Sequence, residues 1–581
     1  MPTMIDRLFG PWVREVGAQR VRADALAGLL GAVLVLPQAI AFAALAGLPP
    51  QYGLATAILP CIVAALFGSS RHVMSGPTNA NSLALLAMLA PLAVVGSPAY
   101  IQLALAVTLL VGLMQLAIGA LRLGTLAHFI SPAALQGFMG GAAILIAVHA
   151  LKDLLGIVLP AGQGAGEVLV SLARRGHEMQ PAALAVGAVT VVTAVLVRRL
   201  APRLPALLLA LAAGTAFALV AGTVHTVGPV TTPWPRWDPP QIDWAVLPEL
   251  VGLAFALTIV ALGQSLSIAK ALAARSGQRL DANREFIGQG LSNAVGGLFS
   301  CYVSCGSLNR SLPNLESGAR TPLASVFSAL MLLGLVTFSA PLLARIPMAS
   351  IAGVLLLVAW SLLDLRGWRR RAQLSRSEFG IALATLAATL AIRLDIAILL
   401  GTLLSLVAYL WRTARPAMRT MGFDTMAPGR AFVIVDDNPA ALPECPQLKL
   451  LRMEGSIYFG AEPYVGDRLH ALRSGPDPQK HLLVMAKSMN FIDLAGAQLW
   501  ADELHARRAM GGDLYFHRPR PAVIELWERS GFLDEIGRDH IFPDKHTAIA
   551  TIVPKLDASI CARCPVRLFH ESPAPAGAAP C

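Results

Sequence analysis

Val73-Met-Ser-Gly-Pro-Thr-Asn-Ala-Asn-Ser82 and, in the second half of the chain, Cys301-Tyr-Val-Ser-Cys-Gly-Ser-Leu-Asn-Arg-Ser311 decide how this sequence folds. Each opens with residues suited to extended backbone, passes through Gly and polar residues, and then enters a short run able to form a helix. Both carry the spacing GxxN, Gly76 to Asn79 and Gly306 to Asn309. Both lie between long apolar stretches. Non-helical backbone at membrane depth is tolerated only where protein or a water-filled cavity satisfies its polar groups. The pair therefore predicts two half-helices whose N-termini meet near the bilayer centre. Helix N-termini present unpaired N–H donors and a positive dipole end, so a pocket between two of them favours an anion. Arg310, in the first turn of the second half-helix, adds a full positive charge there. The competing readings of Arg310 are a side chain that snorkels to an interface or pairs with Glu316.

Outward from these stretches the sequence reads as an all-α polytopic membrane domain. Of 581 residues, 55% are hydrophobic and 14% charged, with a mean hydropathy of +0.61, against about 25% charged residues in soluble chains. Apolar segments of spanning or half-spanning length begin near 24–46, 53–68, 78–94, 99–121, 131–151, 181–199 and 204–223. Seven more follow near 246–270, 285–300, 307–317, 321–341, 350–364, 377–392 and 394–412, about 14 in all. The net charge of +11 is concentrated in short gaps on one side, among them Arg71, Arg122, Arg198–Arg199, Arg275, Arg279, Arg284 and Arg369–Arg371. That pattern is the topology signal of an inner membrane with both termini cytoplasmic, and it does not call for nucleic acid. The segment 1–23 lacks the short apolar core and cleavage site of a secretory signal.

The two halves align on themselves, as in many secondary transporters. Leu36-Pro-Gln38-Ala-Ile-Ala-Phe42 lies over Leu262-Gly-Gln264-Ser-Leu-Ser-Ile268, matching Gln38 to Gln264, and the two GxxN stretches match at nearly the same shift. An internal repeat relating the two halves is the expectation.

These residues closely resemble the SulP/SLC26 anion transporter family. The resemblance runs from Asp24-Ala-Leu-Ala-Gly28 through Leu36–Pro50, Phe67–Pro77, Asn283–Asn293 and Gly306–Ser311 to Ser317-Gly-Ala-Arg-Thr321. It implies a 7+7 inverted repeat with core and gate subdomains, a homodimer, and an anion held between segments 1, 3, 8 and 10. Carried over position by position, the site comprises Gln38, Phe42, Thr78 with its neighbour Asn79, Gln264, Ser307, Asn309 and Arg310. The sequence departs from the family pattern in one respect. Many prokaryotic members resembling this chain carry a coupling carboxylate on segment 8 or 1, but both positions here are Gln, which cannot release a proton near neutral pH. Exchange or facilitated diffusion is then the expected mode, unless another group couples.

After residue 412 and a linker over 413–430, residues 431–556 read as a small α/β domain. Strands are predicted near Ala431–Val435, Lys449–Phe459, His481–Met485 and Asp513–His517, and helices near 461–473, 495–510, 520–530 and 545–553. Gly455–Gly460, Asn490–Gly496 and Ser530–Leu533 resemble a STAS domain, a module that implies a cytosolic protein partner. Leu494 stands where the sporulation-type switches of that fold carry a phosphorylatable Ser, which leaves Asp493 as a helix N-cap. The tail 557–581 holds Cys561-Ala-Arg-Cys564 with His570 downstream; two thiols fall short of the four ligands of a structural zinc, so reduced thiols are expected. No catalytic set or phosphate loop stands in a supporting context, and neither enzyme activity nor a cofactor is expected. The leading function is secondary transport of a small anion; an anion channel or regulated sensor on the same scaffold is the alternative.

Overall fold

The computed structural model describes residues 9–124, 131–160, 163–201, 204–222, 225–228, 234–241, 245–392, 394–424, 432–564 and 568–569. They form two compact units, 1–405 and 406–581.

The first unit is helical. Its helices in chain order are α1 Ala18–Leu45, α2 Pro50–Phe67, α3 Asn79–Leu89, α4 Pro98–Ala120, α5 Pro132–Leu155, α6 Ala165–Arg174, α7 Pro181–Leu200 and α8 Ala206–Ala221. The second half runs α9 Leu247–Ser276, α10 Ala282–Leu298, α11 Leu308–Glu316, α12 Leu323–Leu343, α13 Met348–Leu362, α14 Leu365–Leu374, α15 Arg376–Ala391 and α16 Leu394–Thr413, the last reaching into the second unit. Every expected apolar segment overlaps one of these helices. Eight stretches of the described chain are long and apolar enough to cross a bilayer alone. The short helices α3 and α11, 11 and 9 residues long, span only about 14–17 Å at 1.5 Å per residue. Two helices were not expected from the sequence. Both α6 and α14 are short and amphipathic, and their polar faces interrupt the apolar runs on which span reading depends.

Small residues let these helices approach closely. A side chain at Gly112 on α4 would fall 2.2 Å from the backbone N of Ala294 on α10, and one at Gly297 on α10 would fall 2.7 Å from the N of Leu109. Gly28 and Gly31 of α1 meet α12 in the same way, and Gly137 and Gly141 of α5 meet α15. These contacts sort the helices into two groups: α1, α2, α4, α9, α10 and α12 pack on one another, as do α5, α7, α8, α13 and α15. This is the division into core and gate.

The second unit is a seven-stranded mixed sheet with helices on both faces. Two short strands, β1 Ser75–Gly76 and β2 Cys305–Gly306, belong to the first unit; those of the second are β3 Ala417–Phe423, β4 Phe432–Ile434, β5 Leu448–Ile457, β6 His481–Met485, β7 Met489–Ile492, β8 Leu514–His517 and β9 Ile541–Phe542. The order is β4-β3-β5-β6-β8-β9, with β7 also pairing β5. β3 runs antiparallel to β5, whereas β5, β6, β8 and β9 are parallel. Strand residues alternate between two cores as the pleat requires. Leu451, Val484 and Phe516 enter one core with Trp500 and Trp527, while Leu450, Leu483 and Tyr515 enter the other with Ile549 and Ile552. The four predicted helices appear as α17 Glu462–Arg473, α18 Leu494–Ala509, α19 Pro521–Ser530 and α21 Lys545–Ile552, with α20 Phe532–Ile536 and α22 Ala558–Arg563 in addition.

The expected linker 413–430 needs correction, because β3 lies within it and pairs with two strands. Its Arg419 and Thr420 diluted the apolar alternation on which strand reading rests. Ala431 and His570, both named in the sequence reading, lie outside the described residues. Asp493 does cap α18, accepting from Gly496 N at 3.0 Å and, through its other oxygen, from Phe459 N at 2.9 Å.

His540 bonds Asp513 Oδ2 through Nε2 at 2.8 Å and Asp539 Oδ1 through Nδ1 at 3.1 Å. The Asp513 bond raises its pKa above the ordinary histidine value against the opposing effect of burial. A raised folded-state pKa contributes stability below the unfolded value, near 6.5, that is lost as pH rises through the folded value. The difference in thermal midpoint between wild type and His540→Gln is expected to be larger at pH 6 than at pH 8.5. Equal differences at both pH values would show that the ring is not charged in the fold.

Candidate functional site

The two marked stretches meet. β1, Ser75–Gly76, pairs antiparallel with β2, Cys305–Gly306, with Ser75 opposite Gly306 and Gly76 opposite Cys305. The repeat shift here is 306 − 76 = 230 residues, so each pair maps onto the other and the ladder is symmetric under the repeat. Immediately beyond it the half-helices start: Thr78 is the N-cap of α3 and Ser307 the N-cap of α11. Neither cap side chain bonds its own helix, although the first N–H groups of any helix lack partners within it. At α3 one of them, Ala80 N, is taken by Asn79 Oδ1 at 2.8 Å.

The crossing is fastened from three sides. Ser265 Oγ on α9 accepts from Gly306 N at 2.9 Å, Ser311 Oγ on α11 accepts from Met74 N at 2.8 Å, and Met74 O accepts from Ser307 N at 3.2 Å. Helix α10 supplies a polar stripe. Gln289 Nε2 donates to Ser75 Oγ at 2.6 Å, and Asn293 Oδ1 accepts from Ser304 N at 2.7 Å while its Nδ2 donates to Ser304 O at 3.0 Å and Gln115 Oε1 at 2.9 Å. One turn earlier, Glu285 accepts from Ser69 N and Ser70 N, each at 2.9 Å. Glu285, Gln289 and Asn293 stand at i, i+4 and i+8, one face of one helix. That periodic row of polar residues in an apolar segment was the available sequence signal for this scaffold.

Arg310 is 1% exposed. From the first turn of α11 its side chain crosses to the start of the other half-helix, where Nη2 donates to Pro77 O at 3.0 Å. Gly76 has φ +151, which disfavours any side chain, and a Cβ there would stand 2.8 Å from Arg310 Nη1. The backbone conformation favours glycine here, and any Cβ would also push the guanidinium aside. Neither sequence alternative for Arg310 is realised. The guanidinium is enclosed, and Glu316 faces Arg275 at 3.9 Å. Among the described residues no carboxylate pairs with Arg310, and its Nε and Nη1 have no hydrogen-bond partner. The charge of one half-helix is therefore delivered to the positive end of the other.

The remaining candidates fall into two sets. Thr78 and Gln264 are joined through a residue the sequence reading missed: Cys305 Sγ lies 3.3 Å from Thr78 Oγ1 and donates to Gln264 Oε1 at 3.4 Å. Its thiol resembled packing in the sequence, since nothing there says which way a strand residue points. Gln38 is buried on α1 with Oε1 unpartnered, and Phe42 packs in the same apolar cluster as Tyr302, Val303 and Cys305. Ser307 is buried, whereas Asn309 is exposed. The buried carboxylates Asp24 and Glu285 are both committed to backbone. Asp24 accepts from Arg320 N at 2.6 Å, Thr321 N at 3.1 Å and Thr321 Oγ1 at 2.6 Å, fixing α1 to the α11–α12 turn.

Residues 21–385 match the model of the sulfate permease family, and residues 440–548 match that of the STAS domain. The chain belongs to the sulfate permease, or SulP/SLC26, family. A probable sulfate transporter of Mycobacterium tuberculosis is 32% identical over 94% of this chain and 99% of its own length. A chloroplastic sulfate transporter of Arabidopsis thaliana is 28% identical over 96% of this chain and 84% of its own. Among solved structures, the murine Solute Carrier 26 family member A9 anion transporter in the inward-facing state superposes with a TM-score of 0.82 at 21% identity, covering 93% of both chains. The transmembrane domain of a cyanobacterium bicarbonate transporter gives 0.60 at 24% identity, over 66% of this chain and 98% of that one. This SulP/SLC26 protein is a multi-pass membrane anion transporter with a C-terminal STAS domain, and not an enzyme.

The α10 stripe generates a test. Asn293→Leu keeps the number and branching of side-chain heavy atoms but strands the Ser304 N–H and Gln115 Oε1 in the interior, at about 1–3 kcal/mol for each group. A clear drop in the melting midpoint of the detergent-solubilised protein is expected. An unchanged midpoint would mean that the crossing is held without α10.

Proposed function

We propose that the chain moves small anions, with sulfate foremost and bicarbonate, chloride and C4-dicarboxylates in the same class, by alternating access across an inner membrane. The carrying observation is the unpaired, enclosed guanidinium of Arg310 beside two helix N-termini. An isolated charge within a bilayer costs several kcal/mol, and here the local field is positive from both helix ends as well. A bound anion offsets all three terms at once. On this reading Thr78, Asn79, Gln264, Ser307, Asn309 and Arg310 face the anion between α3 and α11, with Gln38 and Phe42 contributed by α1. Relatives described as sulfate transporters support the choice of oxyanion.

The core group carrying the crossing would move against the gate group, exposing the anion to each side in turn. The neutral amides of Gln38 and Gln264, together with the structural commitment of Asp24 and Glu285, favour exchange or facilitated diffusion over proton coupling at these positions. The side rich in Arg gaps is assigned to the cytoplasm along with both termini. A homodimer, and a cytosolic protein partner for the STAS domain, complete the proposal.

Uptake of labelled sulfate into proteoliposomes is expected to saturate and to be inhibited by unlabelled anions of the class. In the same assay Gln264→Glu is expected to raise KM for sulfate at neutral pH, with partial recovery on acidification as the new carboxylate takes up a proton. Unsaturable flux in the wild type would contradict a carrier. A KM unchanged across pH in the variant would remove Gln264 from the site.

A further inference from the structure

A second cationic site lies away from the crossing. At the end of the membrane unit where α1 begins, an open cavity of about 1100 Å³ is lined by the N-terminal segment and by the turns α2–β1, α9–α10 and α11–α12. Among the described residues Arg20, Arg71, Arg279, Arg284 and Arg320 line it, against two carboxylates, Glu15 and Asp281.

Both carboxylates are already committed. Glu15 binds Arg71 through two hydrogen bonds, at 2.9 and 2.7 Å, and also accepts from Arg20 at 2.7 Å. Asp281 caps α10, accepting from Asn283 N at 2.9 Å and Arg284 N at 3.2 Å. Among the described residues, the side chains of Arg279 and Arg320 have no carboxylate partner, and both residues are exposed. A basic face of this kind is often only solvated. Here the imbalance is local: two guanidinium groups without a counter-ion among the described residues come from separate turns into one cavity, beside two more that share a single carboxylate, Glu15.

We propose that this cavity binds a phosphate-bearing anion, separately from the transported one. The volume exceeds what a single small inorganic ion fills. Guanidinium forks arriving from separate turns match the geometry of phosphate oxygens. In the proposed orientation the cavity opens to the cytoplasm, where a free phosphate compound and the phosphate of an inner-leaflet headgroup offer the same chemistry. The α2–β1 turn that carries Arg71 and His72 runs directly into Ser75 of the crossing, so occupancy here would bear on the position of the transport site.

The test uses the full-length protein in nanodiscs at 0.3 M NaCl, where non-specific attraction is screened over a few ångströms, and the R279Q/R320Q and Arg310→Lys variants separate this site from the transport site. In the first arm, phosphatidylcholine nanodiscs are titrated with inorganic pyrophosphate by calorimetry. In the second, the melting midpoint is compared between phosphatidylcholine discs and discs containing one part in five phosphatidic acid. Saturable binding near one pyrophosphate per chain assigns a free phosphate compound, and a midpoint raised only by phosphatidic acid assigns a headgroup. In either case R279Q/R320Q is expected to weaken the effect at least about tenfold, the scale of losing one charge-assisted hydrogen bond, while Arg310→Lys leaves it intact. Should the double variant fail to fold, each single variant, altered at one exposed residue, replaces it. The proposal is overturned if neither probe engages the wild type, or if the folded variants respond as strongly as the wild type.

Discussion

Everything in the membrane unit depends on a two-residue ladder. Ser75–Gly76 and Cys305–Gly306 pair in the middle of a helical bundle, where free backbone N–H and C=O groups have no water to satisfy them. The pairing ends two helices short, so the chain has to surround the crossing with hydrogen-bonding side chains. It does so with Ser265 from α9, Ser311 from α11, and Gln289 and Asn293 from α10. None of these residues carries charge, and each is committed to the protein. Donors not so committed remain at the helix starts and on Arg310, which is where the proposed function places the anion.

The placement of Arg310 converts a symmetric scaffold into an asymmetric site. Its counterpart one repeat shift earlier is Ala80, 310 − 230, so only one half-helix brings a guanidinium. By lying along Gly76–Pro77, that side chain makes the field of both helix ends stronger at the start of α3 than either could alone. The same contact ties the two repeats together. Arg310 thus bears on folding as well as on the field at the site, and substitutions there are best read with stability measured alongside transport.

Much of this was legible in the sequence because the relevant signals were departures from apolar periodicity. Gly76-Pro-Thr-Asn79 and Gly306-Ser-Leu-Asn309 announced broken helices, and their common shift announced the repeat. The role of Arg310 was legible as charge but not as geometry, since a first-turn arginine can turn to its own helix, to the interface or across the crossing. Cys305 was missed because a thiol in a strand carries no directional signal. The strand β3 was missed because Arg419 and Thr420 interrupt its apolar pattern, and the helices α6 and α14 because amphipathic elements are absent from a reading built on spans. The α10 stripe could have been found from its i, i+4, i+8 spacing of Glu285, Gln289 and Asn293.

The central claim is that an anion sits between the starts of α3 and α11 under the field of Arg310. Anomalous diffraction from crystals grown with selenate in place of sulfate addresses it directly, because selenium marks the oxyanion without changing its charge or shape. The account predicts an anomalous peak within hydrogen-bonding reach of the first-turn N–H groups of both half-helices. A fully occupied selenate elsewhere in the membrane unit, with no peak at the crossing, would contradict it.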